Sequence, residues 1–169
     1  VNVDGTINVL EASLKKNVQK IIYTSSSAIY GVPKLNPVTE EMIPIPKEAY
    51  GKAKFIGENK CIEYASKGLE VVIIRPRTIL GENRLGIFSI LFEWISKNKD
   101  IPILNNGENF YQFIHIEDLN EAIYKSSLIS GSNVFNIGSE KFGTMYETIN
   151  SVIEHSKSKS KIKNIDKNI

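Results

Sequence analysis

Leu69 to Ile74 (L-E-V-V-I-I) is the feature that most limits the fold. It is a short apolar run between Gly68 and Arg75-Pro76. A run of that length and content predicts a strand covered on both faces. A second run, Lys20 to Thr24 (K-I-I-Y-T), predicts another buried strand and ends in Ser25-Ser26-Ser27. Between and around them lie helical patterns. Val3, Ile7, Leu10 and Leu14 recur at helical spacing over 2–16, with Asn17 as a stop. Ala53, Gly57, Cys61, Tyr64 and Ala65 share a face over 48–67. Strand and helix alternate, so the expected class is α/β with a parallel sheet. Two clear strands are too few for such a sheet, so further strands are expected ahead of Val1.

The second half carries weaker signals. Residues 31–47 hold Pro33, Pro37, Pro44 and Pro46 and predict a loop, as does Gly81 to Gly86. Ile87, Ile90, Leu91, Trp94 and Ile95 predict a helix whose Trp94 stripe is core. Strands are expected at 101–104, 110–114 and 134–137, and helices from Glu117 and over 145–155. The expected organisation is a first region over 1–80, a second over 81–156, and a Lys-, Ser- and Asn-rich tail over 157–169. The strand at Val134–Ile137 is a candidate to return to the main sheet, and the tail is expected to be solvated and frayed.

Charge excludes little but suggests no polyanion partner. The 21 basic and 19 acidic residues are interspersed, for a net charge of +2, so nucleic-acid binding is not expected. The single Cys61 excludes an internal disulfide framework and reads as a buried thiol. No apolar run reaches membrane-spanning length, no secretory signal is visible, and no Cys/His cluster suggests zinc. The default reading is a cytoplasmic protein with no membrane contact.

Tyr50 and Lys54 carry the candidate chemistry. Four residues apart on a helix, they lie on one face about one turn from each other. Free Tyr titrates near 10 and free Lys near 10.4. A nearby ammonium favours the phenolate, so the pair is equipped to move a proton to or from a carbinol. A hydroxyl from the serine run can share the same substrate oxygen. The motif alone is weak: about one Y-x-x-x-K is expected by chance in a chain of this composition. The chain holds a second, Tyr30/Lys34, but Pro33 and the loop context separate those side chains.

The order of elements is more specific than either motif. T-S-S-S-A-I-Y-G closes a strand, a Pro-rich loop follows, A-Y-G-K-A-K opens a helix, and the next strand ends in R-P. With V-N-V-D-G-T-I-N-V-L-E-A-S before them and Y-Q-F-I-H-I-E-D-L after, these segments resemble the extended short-chain dehydrogenase/reductase family, in its NAD-dependent epimerase/dehydratase branch. The likeness covers about residues 1–150. It implies the second half of a Rossmann-type domain followed by part of a small α/β substrate domain.

The resemblance also implies roles. Aligned on Ile29-Tyr30-Gly31, the family's catalytic hydroxyl falls on Ser26, and its catalytic Tyr and Lys on Tyr50 and Lys54. Asn2, Pro76 and Arg77 join those three near the cofactor, NAD or NADP. Ser26, Thr78 and Tyr111 are the implied substrate contacts, and Arg77 or Arg84 is a candidate for phosphate contacts. The implied reaction is epimerisation of a nucleotide sugar. Ser27 and Ala28 stand where 4,6-dehydratases carry an acidic pair, so dehydratase chemistry is not expected. Tyr111 stands where nucleotide-sugar members often carry an Arg for the pyrophosphate. That departure keeps a second reading open, a reductase of a non-nucleotide carbonyl. No G-x-x-G-x-x-G loop occurs in the sequence, and the resemblance places it before Val1. The chain is therefore expected to be a fragment, marginally stable and inactive alone, and a non-catalytic remnant is the third reading. Many family members dimerise through the helices read here as 2–16 and 48–67, so the resemblance allows a homodimer.

Overall fold

The computed structural model describes residues 1–33, 35–82, 86 and 88–165. In chain order the elements are α1 (Asp4–Lys15), β1 (Lys20–Thr24), a 3-10 turn (Ser27–Tyr30), α2 (Ala49–Ala65), β2 (Glu70–Pro76), β3 (Thr78–Leu80), α3 (Phe88–Ser96), β4 (Ile101–Leu104), a second 3-10 turn (Asn105–Gly107), β5 (Phe110–Tyr111), β6 (Phe113–His115), α4 (Ile116–Leu128), β7 (Asn133–Ile137), β8 (Gly143–Thr144), α5 (Met145–Ser156) and β9 (Ile162–Ile165). The class is α/β with parallel sheets, as the apolar runs predict.

Contacts divide the chain into two units. The first comprises residues 1–77 and 116–138, the second residues 78–115 and 139–169. The division is not the linear one expected from sequence, because α4 and β7 pack with the first unit. A parallel partner for β2 has to arrive by a long crossover, and residues 78–115 lie within that crossover.

In the first unit the sheet order is β1-β2-β7, all parallel, with Thr24 opposite Ile74 and Pro76 opposite Ile137. The central strand β2 is buried from Val71 to Pro76, as a strand covered on both faces requires. On one face Leu10 of α1 and Cys61 and Tyr64 of α2 pack with Leu69, Val71 and Ile73. Helix ends follow backbone chemistry. Asn17 and Gly68 take left-handed φ angles of 54° and 99° directly after α1 and α2, where such residues terminate a helix at low cost. On β1, the Lys20 ammonium donates to the Ser127 and Ile129 carbonyls at the end of α4.

The second unit is assembled from short pairings. β3 runs parallel to β6, β4 parallel to β9, and β5 antiparallel to β8. Ile95, Ile101, Ile103, Ile149 and Ile153 form its core, with Trp94 packed against them. α5 begins with a full capping box between Thr144 and Glu147. The expectation of a frayed tail fails for residues 157–165. The Ser158 hydroxyl donates to the Ile95 carbonyl at 2.6 Å and the Lys159 amide to Asn98 Oδ1 at 2.7 Å. β9 then covers an edge of β4 that would otherwise leave backbone groups unpaired. Asp166 to Ile169 lie outside the described residues.

Cys61 gives this fold a pH signature. Burial, reinforced by Glu58, pushes its thiol from 9.0 up to about 12. The folded state therefore holds a proton that the unfolded chain releases, and stability falls as pH rises from about 9 towards 12. Denaturant midpoints measured across that range will decline for the wild-type chain, and the Cys61→Ala variant will show a shallower decline.

Candidate functional site

The carboxyl ends of β1, β2 and β7 lie at one edge of the first sheet. In open parallel sheets this is the edge where ligands bind. The serine run continues directly from β1 at that edge. Ser26 is extended (φ −161°, ψ 148°) and caps the first 3-10 turn, its hydroxyl oxygen accepting from the Ala28 amide at 3.2 Å. Its own proton stays available to a second acceptor. Ser25 is buried, and its hydroxyl has no hydrogen-bond partner among the described residues.

Helix α2 starts close against this turn. A Cβ on Gly51 would lie 2.6 Å from the Ala28 carbonyl oxygen, so only glycine permits the approach. Tyr50, the preceding residue, is 49% exposed, and its hydroxyl makes no hydrogen bond among the described residues. One turn on, the Lys54 ammonium donates to the Thr24 carbonyl at 2.9 Å and lies 5.1 Å from the centre of the Tyr23 ring. Burial holds the Lys54 pKa below its ordinary value. The Tyr23 hydroxyl in turn reaches the Lys54 carbonyl at 3.5 Å, in space that a side chain at position 57 would occupy: a Cβ on Gly57 would come within 2.2 Å of it. Burial raises the Tyr23 pKa and keeps this phenol neutral.

Arg77 follows β2, its amide donating to the Ile137 carbonyl at 2.9 Å and its guanidinium to the Ser27 hydroxyl at 3.1 Å. Pro76 is buried at the strand end, and Asn2 is exposed just before α1. Ser26, Tyr50, Lys54, Asn2, Pro76 and Arg77 thus all belong to the first unit. Thr78 and Tyr111 belong to the second, where the Thr78 hydroxyl donates to the Tyr111 hydroxyl at 3.2 Å. The Tyr111 ring lies 5.5 Å from Phe88, edge-on, and 5.0 Å from Phe113. Arg84 lies outside the described residues, as does Lys34 of the alternative Y-x-x-x-K.

Tyr30, the other half of that alternative, is structural. Its buried hydroxyl accepts from Arg75 at 2.6 Å and donates to Asn136 Oδ1 at 2.9 Å. Arg75 also grips Glu58 of α2 through two bonds, Nε to Oε1 at 3.0 Å and Nη2 to Oε2 at 2.7 Å. Burial works against the guanidinium charge, and Glu58 more than offsets it, holding the Arg75 pKa above its ordinary value. Sequence reasoning missed Glu58. The available signal was its spacing, since Tyr50, Lys54 and Glu58 recur at every fourth position.

No group of three or more His, Cys, Asp or Glu side chains suited to a metal ion occurs among the described residues. No described helix is long and apolar enough to cross a membrane.

Comparison with known proteins agrees with this architecture. The model of the NAD-dependent epimerase/dehydratase family matches residues 1–138. The chain belongs to that family. Among its relatives, the uncharacterized protein y4nG of Sinorhizobium fredii is 47% identical over 98% of this chain and 42% of its own length. UDP-glucose 4-epimerase 2 of Oryza sativa subsp. japonica is 29% identical over 88% of this chain and 43% of its own. Among solved structures, UDP-glucuronic acid 4-epimerase from Bacillus cereus in complex with NAD superposes with a TM-score of 0.88 at 26% identity, covering 98% of this chain and 56% of that one. The chain spans about half the length of the relatives it matches.

The contact at Gly51 makes a direct prediction. Gly51→Ala sets a methyl group against a backbone carbonyl that cannot rotate away, so α2 or the turn must shift. A destabilisation of about 1–3 kcal/mol is expected, measurable by chemical denaturation. Gly5→Ala, in α1 with no atom within 4 Å of its would-be Cβ, will not destabilise.

Proposed function

We propose that the gene product containing this chain is an NAD-dependent sugar-nucleotide epimerase, with Ser26, Tyr50 and Lys54 as its proton-handling site. The observation that carries this reading is the close seating of α2 on the Ser26 turn. That seating brings the start of α2, with Tyr50 beside Gly51 and Lys54 one turn on, against the turn that Ser26 caps at the carboxyl end of β1.

The residues present suit the nicotinamide end of such a cofactor. The orphaned, buried Ser25 hydroxyl sits at the strand end that a polar ring substituent would approach. Lys54, tied to the Thr24 carbonyl, retains two further donors for a ribose. Pro76 and Arg77 flank the same edge. Bound there, such a cofactor would supply reversible hydride acceptance from the carbinol carbon.

The chain's own side chains handle the proton. Tyr50 accepts it from the carbinol oxygen as a general base and gives it back as an acid. Lys54, one turn on along α2, supplies the positive charge of the site. Ser26 donates to the same oxygen and fixes its direction. Because Lys54 titrates below the ordinary lysine value, activity that depends on its charge declines at a correspondingly lower pH on the alkaline side. Two helices of the first unit, α1 and α2, also expose Val9, Ile56 and Ile62, which supports a homodimer.

One observation favours a second reading, a reductase of a non-nucleotide carbonyl. Tyr111, at the position implied to meet the pyrophosphate, carries no charge and is packed with Phe88 and Phe113.

Steady-state assays of the full gene product with NAD and UDP-sugars distinguish the readings. An epimerase converts substrate with no net NADH, and Tyr50→Phe lowers kcat by about 10²–10⁴. Ser26→Ala lowers it by about 10². Stoichiometric consumption of reduced cofactor supports the reductase. Full activity in Tyr50→Phe refutes the proposed site.

A further inference from the structure

Eighteen residues, 31–48, with four prolines separate the Ser26 turn from α2, so chain connectivity does not set the Ser26 hydroxyl against the Tyr50 phenol. Catalysis is sensitive to displacements of about 1 Å in such a pair, and a polar network supplies the missing constraint. Glu58 lies one turn beyond Lys54 on α2 and is 1% exposed; Arg75 of β2 is 6% exposed. Their two-bond ion pair joins helix to sheet. The third arm of Arg75 leaves that pair. Nη1 donates to the Tyr30 hydroxyl at 2.6 Å, at the end of the turn that Ser26 begins, and to the Glu40 carbonyl at 3.4 Å in the loop. Asn136 of β7 closes the circuit. It accepts from Tyr30 at 2.9 Å and donates Nδ2 to the Val38 carbonyl at 3.1 Å. Its amide donates to a Glu40 carboxylate oxygen at 2.6 Å.

We propose that Glu58 and Arg75 are positioning residues: their ion pair, through Tyr30 and Asn136, holds the Tyr50 helix, the Ser26 turn and the Val38–Glu40 stretch of the loop in one fixed arrangement. The proposal rests on the reading of Ser26 and Tyr50 as the proton-handling pair. A pair needed only for stability would be replaceable by apolar side chains of similar volume, an exchange that is often neutral or favourable. Such an exchange keeps helix on sheet but cuts the Arg75 bonds to the Tyr30 hydroxyl and the Glu40 carbonyl.

The test therefore uses the Glu58→Leu/Arg75→Met double variant of the full gene product, with Tyr30→Phe as a milder cut in the same circuit should the double variant fail to fold. Hydrogen exchange over residues 38–50 is measured beside kcat and KM, each in the wild-type and Ser26→Ala backgrounds. The expected result is exchange faster by about tenfold over 38–50, and kcat lower by about tenfold with KM within about twofold. In the Ser26→Ala background the further loss should be under about twofold, because the geometry being protected no longer matters there. Unchanged exchange, or the same loss in both backgrounds, overturns the proposal. If Ser26→Ala and Tyr50→Phe themselves leave turnover intact, the functional reading falls. The exchange data then decide alone whether the network fixes the loop and helix.

Discussion

The approach of α2 to the carboxyl edge of the β1-β2-β7 sheet is the constraint on which the first unit depends. Two glycines allow it. Gly51 admits the Ala28 carbonyl and Gly57 admits the Tyr23 hydroxyl, each at a distance no side chain tolerates. Three polar contacts then fix it: Lys54 to the end of β1, Glu58 to Arg75 in β2, and Tyr30 to Asn136 in β7. Helix α2 is thereby tied to β1 and β2, and the turn it seats on is tied to β7.

The energetics of that arrangement are uneven. Glu58 is buried and has a full charge partner, whereas Lys54 is only half-buried and has none. Removing either member of the Glu58–Arg75 pair leaves a buried charge, at a cost of about 3–5 kcal/mol. Lys54 has a carbonyl and an aromatic face instead, and its cation is correspondingly less favoured. A lysine in that state keeps donors to spare for a ligand. The same helix thus holds one charge satisfied by an ion pair and one satisfied only by a carbonyl and an aromatic face.

Much of this was legible in the sequence. The runs K-I-I-Y-T and L-E-V-V-I-I gave β1 and the core of β2, because strands buried on both faces are written in apolar residues. The 3.6-residue pattern located the helices, and the order of serine run, Pro-rich loop and Y-G-x-x-K drew the candidate site together. What escaped has physical reasons. β3, β8 and β9 span two to four residues, too few to show periodicity, and their pairing is decided by distant partners. Glu58 reads as a solvated charge until Arg75, seventeen positions away, is brought beside it. Tyr23 reads as an ordinary strand aromatic, and nothing local says that a lysine will lie over its ring.

The central claim is that Tyr50, Lys54 and Ser26 serve a reaction in which the carbinol hydrogen leaves and returns. The most direct measurement follows a UDP-sugar deuterated at that carbon through the full gene product. The account predicts that the inverted product keeps its deuterium and that no reduced cofactor accumulates. Deuterium lost to solvent, or recovered in free reduced cofactor, would contradict it.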